Sequence, residues 1–305
     1  MKSQIRISIL FLFLVFCLIQ ASFALINTPD VKFFAARGAK KNIFHISLNL
    51  GFTSYYGDLA NTNLNAPFYQ RYGIQVNAER DIFQATRLCV NFFGGNILGD
   101  EKSEARTLNF RSNVLAPQLG LSFNFLYWAG GGNLREHFSM YLFAGVEAVF
   151  FRVAGDLKNS SNETYHYWSD GSIRNMPETA AHQNDAAEIK RDYIYETNYH
   201  NLDFDNFGNV PRSGLGLPLG LSAEMKFGNF GIRVGAVYHY TLTDHLDNIT
   251  SKSIGNRKGN SGTDKYLFTY AGLAYTLPFA SRSGGYNTKK INTKPLYKKK
   301  HYIKT

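Results

Sequence analysis

Three groups of side chains in this 305-residue sequence have the types that chemistry uses. His45, His239 and His245, with Asp58, Asp244 and Asp247, could supply imidazole–carboxylate pairs for acid–base work near the outer rim of the fold. No nucleophile elbow, paired-carboxylate spacing or HExxH accompanies them, so the chain reads as non-enzymatic. His166, His182 and His200 share a long segment with Asp170, Asp185, Asp192, Asp203 and Asp205. Their intervals of sixteen and eighteen residues match no ligand pattern, and Asp203-Phe204-Asp205-Asn206 does not continue as a calcium loop. Neither a metal nor any other cofactor is expected. The third group is Glu79, Arg87, Glu147, Glu224, Lys226 and Arg233, three acids and three bases on alternate positions of apolar runs. A self-neutralising set of this kind suits a confined interior better than a solvent-facing surface.

The elements that carry these residues alternate with period two. Phe44, Ile46, Leu48, Leu50 and Phe52 interleave with His45, Ser47, Asn49, Gly51 and Thr53. Similar runs occupy 72–79, 86–93, 115–125, 138–148, 214–226, 230–239 and 267–279. Eight strands follow, each with one apolar face and one face of small or polar residues. A soluble sandwich turns the apolar face inward, whereas a membrane barrel turns it to lipid around a polar lumen. Here the polar face is rich in Gly, Ser and Asn, as a narrow interior requires.

The connections give independent support. They run long (57–71), short (80–86), long (94–113), medium (126–137), very long (152–213), two residues (228–229) and long (243–265). Alternating long and short links are the outer-membrane pattern. The chain therefore reads as all-β, an eight-stranded antiparallel transmembrane barrel over 25–280 with long external loops. Tyr127, Trp128, Phe227, Phe230 and Phe279 fall at the expected periplasmic rim, and Tyr55, Tyr56, Phe150 and Phe151 at the outer one. Pro117 and Pro218 lie inside strands, where bulges are expected. Gly228-Asn229 is a type II′ hairpin signal that would set Glu224 opposite Arg233. Eight strands leave an interior that side chains nearly fill, which argues against a diffusion pore.

Composition agrees with this reading: 25 Phe, 19 Tyr and 27 Gly suit an all-β chain. Residues 5–24 alone approach the ~20 apolar residues of a spanning helix. Lys2 and Arg6, the apolar stretch from Ile7 to Ile19, and Ser22-Phe23-Ala24 mark 1–24 as a secretory signal peptide. Cys17 lies within it, which leaves Cys89 alone, with no internal disulfide and no assigned role. The net charge of +10 comes from the ends, since 25–280 holds 23 basic and 23 acidic residues. The tail 281–305 has eight bases, among them Lys289, Lys290, Lys298, Lys299 and Lys300, and no acid. Export and the lack of any recognition fold exclude nucleic acid. The tail is expected either to dock on an acidic periplasmic partner or to remain solvated.

Three segments resemble the PorG-type outer-membrane barrels of Bacteroidota. Leu50-Gly51-Phe52-Thr53-Ser54-Tyr55-Tyr56-Gly57-Asp58-Leu59 is similar to that family's opening strand with its tyrosine-glycine-aspartate turn. Leu108-Asn109-Phe110-Arg111-Ser112-Asn113 is similar to its approach to strand four, and 238–248, with its Thr243-Asp244 pair before Leu246-Asp247, to its penultimate strand. The resemblance implies a non-enzymatic scaffold or assembly component of type IX secretion and gliding. Its partners would be outer-membrane lipid and a periplasmic ring of lipoprotein subunits, with both termini in the periplasm. The alternative function is a surface adhesion or ligand-recognition barrel acting through the 152–213 loop, which is rich in Tyr, Asn, His and Asp.

Overall fold

Alternating strands with one apolar face can hide that face from water only by curling shut within lipid or by stacking in pairs. The structure, a computed structural model, curls them shut. It describes residues 42–59, 71–83, 85–102, 107–128, 137–202, 205 and 210–279. The expected signal peptide, the basic tail with its five named lysines, and Asp203 lie outside the described residues.

In chain order the strands are β1 (Asn42–Tyr56), β2 (Tyr72–Phe83), β3 (Thr86–Lys102), β4 (Thr107–Asn124), β5 (Phe138–Gly155), β6 (His166–Tyr167), β7 (Ile173–Arg174), β8 (Thr197–Asn198), β9 (Ser213–Phe227), β10 (Phe230–Thr241) and β11 (Lys265–Phe279). Eight of them close an antiparallel barrel in the order β1-β2-β3-β4-β5-β9-β10-β11, and β1 seals against β11 from Asn42↔Phe279 to Tyr56↔Lys265. The short β6 and β7 pair with each other, and β8 adds to the end of β5. We call the end where β1 begins and β11 finishes the terminal end, and the opposite end the loop end.

Burial is inverted relative to a soluble sheet. Leu48 and Leu50 are 50% and 56% exposed, whereas Asn49 between them is fully buried. Leu215, Leu217, Leu219 and Leu221 on β9 are likewise exposed, with Glu224 and Arg233 buried behind the wall. An apolar exterior around a polar interior is the pattern of a wall that faces lipid, and the fold is a transmembrane β-barrel. Among the described residues no helix is long and apolar enough to cross a membrane.

The β9–β10 hairpin has the expected register, with Phe227↔Phe230, Met225↔Ile232, Glu224↔Arg233, Ser222↔Gly235 and Leu219↔Tyr238. Gly228 takes a φ of 65°, as the first position of a II′ turn requires. Three expectations are corrected. The third connection is not 94–113, because β3 and β4 stay paired from Thr86↔Phe123 to Lys102↔Thr107. With β5 they extend the wall well past the ~9–11 residues that cross a bilayer. The prolines produce no bulge: Phe92↔Pro117 and His239↔Pro218 lie in continuous register. Each instead interrupts pairing to β5, which lacks β4 partners at Ala148 and Val149 and β9 partners at Gly145 and Val146. Finally, Tyr55 and Phe151 do not join an outer aromatic rim; both point inward and are buried, while Tyr56 faces outward.

Candidate functional site

The lumen is filled in layers. Nearest the terminal end, Arg233 and Arg87 lie among three carboxylates. Arg233 donates to Glu224 Oε2 through Nη2 (2.6 Å) and Nε (3.0 Å), and to both Glu79 oxygens, one of them at 3.1 Å from Nη2. Arg87 binds Glu79 (2.8 Å) and Asp81 (3.1 Å), and its guanidinium covers the Tyr141 ring at 4.3 Å. Glu79, Arg87, Glu224 and Arg233 are all buried. Their positions follow from register: Glu224↔Arg233 is one cross-strand pair, and β1 lies between Arg233's neighbour β11 and Glu79's strand β2. Lys226 is half-buried nearby and makes no ion pair among the described residues.

Glu147 was expected among these charges, but it lies higher and meets neither arginine. Its Oε2 accepts from Gln118 Nε2 (3.2 Å) and sits 2.8 Å from His239 Nδ1. Gln118 continues into an amide ladder, taking Gln75 Nε2 and Asn91 Nδ2 at 3.4 Å each, and Asn49 reaches Gln75. A cavity of about 20 Å³ remains here, bordered by Asn77, Cys89 and Asn91, enough for about one water.

Above the ladder the interior turns aromatic. The His239 ring stacks on Tyr266 (centroids 4.1 Å), and Phe93 packs on Tyr266 (5.6 Å) and Phe268 (5.0 Å). Phe110, Ile97, Val149 and Phe151 continue this plug, and Leu59, Leu246 and Ile249 cap it. The cap unites two of the segments that carry the family resemblance, 50–59 and 238–248. Tyr55 Oη bonds to Asp247 Oδ2 (2.8 Å) and also to Asp264 Oδ1. Leu246 and Ile249 donate their backbone N–H groups to Asp264 and Asp247, each at 2.8 Å, and Asn260 N–H reaches Asp58 (2.9 Å).

A phenol has one proton to donate, so one of the two carboxyls must itself be protonated and donate to the phenol oxygen. Burial first, then the charges of Asp244 and Asp58, push Asp264 up to about 7. Burial and the Asp264 charge raise Asp247, and burial with Asp58 lifts Asp244 to about 6.

The histidine expectation is corrected. β1 starts at the terminal end, so His45, its fourth residue, lies there and contacts Asp81 (3.3 Å), far from the loop end. His239 sits in the plug and His245 in the cap loop, so the three imidazoles do not share a site. The three aspartates do converge, joined by Asp264, which carries no local sequence signal.

The described part of the segment between β5 and β9 folds onto the β3–β5 extension, and Tyr199 joins the interior cluster. Arg191 bridges Asp100 and Asp156 (2.8 Å each) with its side chain buried. Asn109 bonds the Asp156 backbone in both directions (2.7 and 3.0 Å), and Tyr199 Oη donates to the Asn109 carbonyl (2.8 Å). Sequence reasoning missed Arg191 because its partners are 91 and 35 residues away. The histidines of this segment stay apart. His182 contacts the Pro177 carbonyl, His200 accepts the Val153 N–H, and His166 lies in β6.

No family model matches the chain, and no curated protein matches its sequence. Among solved structures it is similar to Ail of Yersinia pestis in complex with the heparin analogue sucrose octasulfate. Identity there is 11%, coverage 78% of this chain and 100% of that one, and the TM-score 0.37. A major outer membrane protein from Thermus thermophilus gives 13% identity, 78% and 100% coverage and a TM-score of 0.41. OprG from Pseudomonas aeruginosa gives 13%, 79% and 99%, and 0.34.

Proposed function

We propose that the protein is a non-enzymatic outer-membrane scaffold of the PorG type, an assembly component of a type IX-like secretion machinery. In this reading the terminal end faces the periplasm, where the basic tail meets lipoprotein ring subunits. The observation that carries the reading is the filled lumen. Ion pairs, amides and an aromatic plug occupy the described lumen, and the cavity beside the amide ladder holds about one water, so work falls to the outer surfaces. The union of segments 50–59 and 238–248 in one cap supports the PorG-type resemblance, because residues far apart in sequence build a single element. The test is deletion followed by comparison of the secreted proteins, with recovery of periplasmic lipoproteins on the purified barrel. Loss of secreted cargo and ring recovery are expected; unchanged secretion overturns the proposal. A second reading, surface adhesion through the 152–213 loop, is supported by the anchoring of its described part through Arg191, which ties that part to Asp100 and Asp156. Extracellular ligand capture with normal secretion would select it.

A further inference from the structure

Ile74, Gly94, Leu115 and Phe150 form an outward row across β2 to β5, and Asn96, Asn113 and Arg152 form the next row toward the loop end. Gly94 leaves a notch in the first row, where an added Cβ would meet only Leu115 Cδ1, at 4.0 Å. The notch belongs to a groove of about 400 Å³ walled by Tyr72, Ile74, Phe92 and Leu115, with Asn96 and Asn113 at its loop end. Arg152 pairs with Asn113 in register, is exposed, and has no acidic partner among the described residues.

The outward positions from Met140 to Phe150 precede Arg152 on β5. At ~3.3 Å per residue and ~40° tilt they rise about 25 Å, the height of an apolar band. Arg152 therefore stands at the level of lipid headgroups. The row above, Leu98 and Ala154, is covered by Tyr193 and Tyr195. Both tyrosines are in the left-handed region (φ 58° and 55°), and they hold Ile194 outward, 52% exposed. A second arginine, Arg212, shares this corner: burial first, and then Arg212 and Arg152, push His200 down to about 4.

We propose that this is a discrete site for one phosphorylated lipid of the leaflet that meets the loop end. An acyl chain fills the Gly94 groove. The phosphate lies on the Arg152 guanidinium and the Asn96 and Asn113 amides, and Ile194 dips into the headgroup layer above. Two features select this occupant. An apolar groove within the bilayer's apolar band is filled by hydrocarbon, and a guanidinium at its mouth with no acidic partner among the described residues calls for an anion. A second barrel packed about a two-fold axis would bring another Arg152 to the same interface without compensation.

The test is native mass spectrometry of the full barrel in detergent, titrated with dimyristoyl phosphatidic acid, dimyristoyl phosphatidylcholine or sodium phosphate. The wild type should retain one phosphatidic acid, with about a fivefold preference over phosphatidylcholine. Arg152→Gln should bring the two lipids to parity. Gly94→Leu, which fills open space, should remove both while heat-modifiable migration stays normal. Equal retention of both lipids by the wild type overturns the proposal, as does undiminished retention in both variants. Competition by sodium phosphate equal to that of the lipid reduces the site to a bare anion site and also overturns it. So does a dimer that Gly94→Leu dissociates without changing lipid retention, because the groove then belongs to a second copy.

Discussion

Arg233 and Tyr55 both face inward toward opposite ends of one lumen, and each binds two carboxyl groups. Their chemistry differs in what it requires of those carboxyls. A guanidinium has five donors and a fixed positive charge, so Glu79 and Glu224 can both remain ionised around Arg233. A phenol has one proton and no charge, so Asp247 and Asp264 must keep a proton between them. The first arrangement is held by strand residues that cannot move without breaking the wall, and the second partly by the 242–264 connection. One narrow barrel thus has an end locked by compensated charge and an end locked by a shared proton.

The largest effect expected from breaking this contrast is at Arg233. Arg233→Gln leaves two buried carboxylates with one guanidinium fewer and should cost roughly 3–5 kcal/mol in urea unfolding from lipid vesicles. Glu224→Gln added to it should cost less than the two single losses combined, and strict additivity would deny that the pair interacts. Phe93→Ala, in the plug between the two ends, should cost about 3 kcal/mol by leaving a cavity beside Tyr266 and Phe268.

Tyr55→Phe should cost less, about 2 kcal/mol, because it removes one hydroxyl from two buried carboxyl partners, one that accepts its proton and one that donates to its oxygen. The loss should register as faster amide exchange at Leu246 and Ile249 with the wall protected. The pH response sharpens the contrast further. Asp264 is raised in the folded state to about 7, so the unfolded chain ionises first as pH rises. Its contribution is complete below the ordinary carboxylate range and is lost as pH climbs from about 4 through 7. Cap protection should therefore be greater at pH 5 than at pH 8, and Asp264→Asn should flatten the dependence. A profile as flat in wild type as in Asp264→Asn would remove the shared proton. The smallest effect belongs to neither end. Gly228→Ala forces an alanine to a φ of 65° and should cost about 1 kcal/mol, without altering pH dependence.

The eight strands were legible because lipid-facing and lumen-facing residues alternate strictly where the chain crosses the bilayer. The Glu224↔Arg233 pair followed from the Gly228-Asn229 turn alone. Legibility fails where the alternation changes meaning. From Phe93 onward the inward positions of β3 become apolar (Phe93, Ile97) while outward Gly94 carries no side chain, so a reading based on polar-inside patterning ends the strand early. His45 was misplaced because polarity says nothing about depth along a strand. Glu147 lies in the lumen as expected, but its partner His239 is 92 residues away and on a strand that does not adjoin β5. The Arg191 bridge and the place of Asp264 are likewise tertiary facts without local pattern.

Pro117 and Pro218 act on the same strand from opposite sides. Each removes a donor from the ladder that faces β5, so Gly145, Val146, Ala148 and Val149 each lack a neighbour on one flank. Glu147, at the centre of this stretch, keeps Gln118 on one side and Gly216 on the other. A cylinder usually resists shape change uniformly around its circumference. This one has a compliant stave with a single stiff joint at mid-height, and that joint bears the carboxylate facing His239. Along 145–149 Glu147 alone is paired on both flanks, so the point where β5 joins both neighbours in this stretch is also the point tied across the lumen to β10.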